Sequence, residues 1–289
     1  MTIATILCPV DGLPGSEAAL EAAIAVGRTF NAHVTLLHVE VPPESAVPMV
    51  GEGMTGAVIE EIMESARKNA QERAKTARAL FDRHCVEPGL ALAEEDTAPE
   101  AGRFTVAWTH IRGIESDQVA ARGKLFDLLV LARPNGEASG RFGDSLEAAI
   151  FDSGRPVMMV PSPSTATAWP TIAIAWRDTK ESARGLASAL PFLRKAERVL
   201  LLTVAEGGAS ADLTQGRRYL AYHGINAESR TLEPGERSAG DAILAEAKAE
   251  GAELLVMGAY SHSRLRQLVL GGMTRDVLER AEIAVLMAH

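Results

Sequence analysis

Aromatic side chains are scarce, at 4% of the 289 residues, so Ala, Val, Leu and Ile must fill any core. That composition suits helices laid over parallel strands better than an aromatic-rich sandwich. Cysteine is nearly absent: Cys8 stands inside an apolar run and Cys85 closes a charged helical stretch. Two unpatterned thiols make no disulfide framework, and a reducing compartment, the cytoplasm, is the expected location. A surplus of positive charge is missing too. The net charge of −9 excludes a broad duplex nucleic-acid surface but leaves room for a small basic pocket. No apolar run reaches bilayer-spanning length, and MTIATILCPVDG lacks the basic start of a secretory leader. No nucleic acid and no membrane are therefore expected as partners. The pattern G-x-x-x-x-G-K-[ST] occurs nowhere, which excludes a P-loop nucleotidase.

What is present is alternation. ATILCPV (4–10) reads as a strand, Ser16 to Phe30 as an Ala-rich amphipathic helix, and HVTLLHV (33–39) as a strand again. Brief Val- and Ile-rich runs between Ala-rich periodic stretches spell the β-α-β order of a doubly wound parallel sheet. The order restarts after PSPSTATAWP (161–170), whose Pro, Ser and Thr mark a boundary. TIAIAW (171–176) is a strand, Glu181 to Leu193 a helix, and RVLLLTV (198–204) a strand. The halves also share wording: SEAALEAA (16–23) against SARGLASA (182–189), FDLLVLA (126–132) against AELLVMG (252–258), and RPVMMVP (155–161) against IAVLMA (283–288). A repeat of this size means two whole domains, expected at residues 1–162 and 169–289.

The first half is longer in its middle, mostly from Val41 to about Cys85. There Ile62, Ala66, Ala70, Ala77, Leu80, Phe81 and Cys85 recur at helical spacing with charges between them. One long amphipathic helix over the half's own sheet is expected, with a partner protein as the alternative surface.

Three segments together carry a family resemblance: Cys8-Pro9-Val10-Asp11-Gly12 followed by Ser16 and its helix, TLLHV (35–39), and LLVMGAYSHSRLRQLVLGGMTRDVLERAEIAVLMA (254–288). They resemble the universal stress protein family, in its tandem form, over nearly the whole chain. The resemblance implies two five-stranded parallel sheets of order 3-2-1-4-5, joined through their last strands into an internal pseudo-dimer. It also implies a protein whose partner is itself, within the chain or as a homodimer, with any other protein partners unidentified. Some members of the family bind ATP or another adenine nucleotide through Gly-x-x-Gly, nine residues, then Gly-Ser or Gly-Thr. There, backbone N–H groups at a strand-to-helix turn surround phosphate oxygens.

In the second half the motif falls on Gly258, Ser261, Gly271, Gly272, Met273 and Thr274. Spacing is kept, but Ser261 stands for the second Gly and Gly272 for the hydroxyl residue, which Thr274 would restore. A tight strand-to-helix turn is the alternative use of these glycines. For the nucleoside end the resemblance implies an Asp after the first strand. Asp11 provides it in the first half; in the second, Arg177 takes that place, with Asp178 next to it and Val204 at the end of the following strand. The first half has the opposite defect. Its loop reads Ala132-Arg133-Pro134-Asn135 and reaches Gly143 two residues early, so its phosphate site is expected to be lost.

Other motifs reduce to ordinary roles. Gly51-Glu-Gly53-Met-Thr-Gly56 follows no strand directly and reads as a loop. His33 and His38 point to opposite strand faces, and His84-Cys85 lacks further ligands at zinc spacing, so no metal is expected. No nucleophile–base–orienter set is evident, so no catalytic residue is named and at most slow ATP hydrolysis is expected. Two functions stay open: a stress-response module binding an adenine nucleotide in its second half, or a nucleotide-free interaction scaffold.

Overall fold

The computed structural model describes residues 2–47, 55–86, 91–93, 101–134, 144–163, 168–205, 211–259 and 272–289. Its strands, in chain order, are β1 (Thr5–Pro9), β2 (His33–Glu40), β3 (Ala91–Leu92), β4 (Thr105–Arg112), β5 (Leu128–Ala132), β6 (Val157–Val160), β7 (Thr171–Ala175), β8 (Arg198–Val204), β9 (Ala227–Leu232), β10 (Leu254–Gly258) and β11 (Ala284–Ala288). The helices are α1 (Ser16–Phe30), α2 (Gly56–Cys85), α3 (Glu115–Gly123), α4 (Asp144–Asp152), α5 (Lys180–Leu193), α6 (Leu213–Tyr222), α7 (Ala239–Ala249) and α8 (Gly272–Arg280).

The strands join in one sheet, ordered β3-β4-β2-β1-β5-β6-β11-β10-β7-β8-β9. Neighbours within each half are parallel. The halves meet where β6 lies antiparallel to β11, with Met158 opposite Leu286. Setting β3 aside, each half runs 3-2-1-4-5 in its own strands. The first half departs from five strands, because the two residues of β3 add a sixth at its outer edge, Ala91 beside Thr105. So short an edge strand covers open β4 backbone while offering little template for another chain.

Both faces of the sheet are covered, which is why its strands are apolar nearly throughout. Successive residues of β1 serve opposite layers: Ile6 and Cys8 belong to the layer that holds α1, α2, α5 and α6, while Leu7 belongs to that of α3, α4, α7 and α8. Cys8 is wholly buried, and that burial pushes its thiol pKa up, consistent with a small hydrophobe. The long helix α2 forms as expected, but unevenly covered. Ala77, Leu80, Phe81 and Cys85 are buried, and Phe81 packs on Trp108 at 5.4 Å. Ile62, Ala66 and Ala70 are only half-buried.

Two further contacts tie the halves. Phe192 of α5 takes Phe30 of the first half edge-on at 5.1 Å. On the other face Arg133, just past β5, donates from Nη1 to the Ala281 carbonyl at 2.7 Å. That carbonyl lies at the C-terminal end of α8, where a cation meets the negative end of the helix dipole. A residue from the altered loop of the first half thus clasps the second half.

Helix α5 sits unusually close to β10. A Cβ at Gly185 would lie 2.7 Å from the Met257 carbonyl oxygen, and one at Gly258 would lie 2.5 Å from the Glu181 carbonyl carbon and the Ser182 nitrogen. Gly185→Val should therefore lower the unfolding free energy by about 1–3 kcal/mol through overpacking. Urea denaturation checks this: the midpoint should fall at unchanged m-value, and an unmoved midpoint would show that α5 can slide.

Candidate functional site

At the carboxyl end of the second half's sheet lies a cavity of about 290 Å³, near the lower end of the range for small-molecule sites. Trp176, Arg177, Asp178 and Thr179 line it from the exit of β7, and Thr203 and Val204 from the end of β8. Ala211 stands before α6, Ala239 and Ile243 belong to α7, and Met273 to α8. The place follows from topology. The chain leaves β7 toward β8 on one side, while β10 enters on the other, so the strand exits diverge into a crevice.

Local sequence explains each wall. Thr179 caps α5, its hydroxyl accepting from the Ser182 backbone N–H at 3.2 Å. Ser238 caps α7 in the same way, through Asp241 N at 3.1 Å. Helices α7 and α8 begin side by side: a Cβ at Gly240 would lie 2.6 Å from that of Asp276. Two helix N-termini therefore open on one crevice and bring positive potential to it. Asp241, which would oppose an anion there, is paired with Arg280 at 2.5 Å.

The sequence-derived residues divide among several places. Asp178, Val204 and Met273 come from three distant segments and meet in the cavity wall. Gly258 ends β10 against the first turn of α5, a close approach that only glycine permits. Gly272 opens α8 in an exposed position with nothing near a would-be Cβ. Thr274 is buried within α8. Ser261 and Gly271, and Gly143 of the first half, lie outside the described residues. Trp176, Thr203, Ala211, Ala239 and Ile243 were not anticipated. Ser238-x-x-Asp241 is a local sequence signal for the start of α7, though not for what that start faces.

In the first half the same place is filled. Asp11 Oδ1 accepts from the Ser16 hydroxyl and from Leu13 N, the latter at 2.9 Å. Arg73 of α2 donates from Nε to the Asp11 carbonyl at 2.8 Å, and its Nη2 lies 3.4 Å from Asp11 Oδ2 and 3.6 Å from Glu115 Oε2. Gly12 takes a left-handed φ of 76° directly beneath the helix, where a side chain would run into the Arg73 carbonyl. The middle of α2, for which the second half has only short α6, closes this crevice. His38 is buried beside it, Nδ1 on the Val10 carbonyl at 2.8 Å, and burial holds its pKa down.

A metal-capable group also emerges where sequence spacing showed none. Glu17 and Glu21 of α1 approach His84 of α2, with His84 Nε2 2.8 Å from Glu17 Oε1. Arg83 already pairs with Glu17 at 2.9 Å.

Fold and crevice define a class: a tandem pair of doubly wound α/β domains in one sheet, with a ligand-sized crevice at the strand exits of one half. The universal stress protein family profile matches residues 2–161 and 177–289, and the chain belongs to that family. The chain is 24% identical to the universal stress protein Slr1230 of Synechocystis, with 97% of this chain and 98% of the relative covered. A universal stress protein from Archaeoglobus fulgidus shares the fold at a TM-score of 0.65 and 16% identity, covering 98% of this chain and 95% of its own. A functionally unknown protein, PA1789, from Pseudomonas aeruginosa does so at 0.57 and 13%, covering 99% and 92%. Among the described residues no helix is long and apolar enough to cross a membrane.

The closed crevice carries a pH signature. Burial raises the Glu115 pKa above the ordinary 4.5, against a hydrogen bond from Ser145 at 2.7 Å. The folded state then holds a proton that the unfolded chain has released, so this group's contribution falls as pH rises from 4.5 through its raised pKa. Glu115→Gln removes the titration and keeps an acceptor for Ser145. In urea unfolding the variant should gain on the parent as pH rises from 4.5 to 7; a constant gap would mean that Glu115 is not desolvated.

Proposed function

We propose that the second half, taken as residues 169–289, binds an adenine nucleotide such as ATP across the exits of β10, β7 and β8, as a stress-response binding module. The observation that carries this is the convergence of Asp178, Val204 and Met273 on one cavity wall with two helix N-termini. The phosphates belong at the first turn of α8, whose N–H groups have no partner within the helix. The base belongs against Val204, Ala211 and Ile243, an apolar surface that a purine face can cover. Family resemblance supports the same ligand class. The first half, residues 1–162, acts as a fixed partner, its own crevice given over to Arg73.

Binding is the whole of this reading. Among the described residues of the cavity wall, Asp178 is the single carboxylate and no histidine stands there, so the reading assigns no general base. The alternative, a nucleotide-free interaction scaffold, is favoured by the first half, where Arg73 occupies the crevice. A homodimer is not needed to complete the sheet, since β6 and β11 already pair within the chain.

Isothermal titration with ATP tests the proposal: saturable heat with one site per chain is expected, and no heat at millimolar nucleotide in folded protein overturns it. Val204→Trp should fill the base end and abolish binding while leaving the far-ultraviolet circular dichroism unchanged.

A further inference from the structure

The identity of the residue leaving β7 sharpens the ligand, and this step rests on the nucleotide reading above. The two halves are in register at this point without any offset. Pro9 pairs with Leu37 in β2 and Val10 N donates to the Leu37 carbonyl; Ala175 pairs with Leu202 in β8 and Trp176 N donates to the Leu202 carbonyl. Val10 therefore corresponds to Trp176, and Asp11 to Arg177. The hydroxyl that Ser16 gives to Asp11 has its counterpart in Ser182, which instead accepts the Arg177 backbone N–H at 3.3 Å. An acid has been exchanged for a guanidinium at a fixed position.

Strand order says which part of a ligand meets that position. The sheet runs β10-β7-β8, so the β7 exit lies between the β10 exit, on whose side Met273 of α8 reaches the cavity, and the apolar wall at the end of β8. A nucleotide laid across the three exits places its sugar at Arg177 and Asp178. A carboxylate there accepts from a ribose diol. A guanidinium has five donors and no acceptor, and matches a phosphate with two parallel hydrogen bonds. The same acid-for-arginine exchange separates free-ribose from ribose-phosphate cofactors in dinucleotide-binding folds. Asp178, adjoining in the cavity wall, keeps one acceptor for a remaining hydroxyl.

We propose that the second crevice selects a nucleotide carrying a phosphate on its ribose, at the 2′ or 3′ oxygen, and that Arg177 is the residue that determines this choice. A ribose bearing one phosphate and one hydroxyl uses both neighbours, Arg177 for the first and Asp178 for the second. Arg177 already makes a contact within the protein, which the ligand phosphate joins or replaces. The positive potential of two helix starts favours the additional anion.

Calorimetric titration of the full chain should compare adenosine 5′-monophosphate with adenosine 2′,5′- and 3′,5′-bisphosphate at one salt concentration. One of the bisphosphates should bind about tenfold or more tightly than the monophosphate, as expected for a charge-assisted pair. Arg177→Asp should reverse that order. Equal or weaker binding of both bisphosphates overturns the selectivity and leaves the nucleotide reading standing. A preference that survives in Arg177→Asp overturns the role of Arg177. No heat with any of the three, in protein that does bind ATP, overturns the selectivity alone; no heat with ATP as well, in protein with native circular dichroism, overturns both readings.

Discussion

The antiparallel seam between β6 and β11 is the constraint from which the architecture follows. Val157, Met158 and Met159 lie opposite Met287, Leu286 and Val285, all buried, and their backbone ladder turns two sheets into one. A parallel edge strand left open would present unpaired N–H and C=O groups to any other chain. Here each half covers the other's edge. The seam also orients the halves about a pseudo-two-fold axis, so α1 meets α5 on one face while Arg133 reaches α8 on the other.

Within that shared frame the two crevices have diverged through one difference in helix length. After β2 the chain builds the thirty residues of α2, whereas after β8 it builds the ten of α6. The longer helix passes over Gly12 and lowers Arg73 onto Asp11 and Glu115, supplying from within the chain the charge that an outside ligand would otherwise bring. The shorter one leaves space bounded by Trp176, Val204 and Met273. Loss of the first half's glycines and closure of its crevice are thus consistent: with the hollow filled, nothing keeps Ala132 and Arg133 as a phosphate loop. Arg133 has taken up a different task at the seam.

The sequence made the strands, the repeat and the helix spans legible because these depend on local composition and periodicity. Even α2 was readable from Ala77, Leu80, Phe81 and Cys85. Strand order came through family resemblance, since nothing local in Ile6 states which strand lies beside it. The site was legible only in part. Asp178, Val204 and Met273 could be named because each sits at a fixed offset from a strand or motif. Ile243 and Ala239 could not, being placed by how α7 packs over β8. Arg73 lies 62 positions from the Asp11 carbonyl it binds, and Glu17 lies 67 from His84. Such pairings exist only once the helices have docked. The two-residue β3 is too short to carry an alternating pattern at all.

Covalent fusion alters what each copy is free to become. In an assembly of identical chains every substitution occurs twice, and a change that seals one hollow seals all of them. Joining the copies by residues 161–170 lifts that symmetry: Arg73 can seat itself on Asp11 in one copy while the other keeps an open cavity.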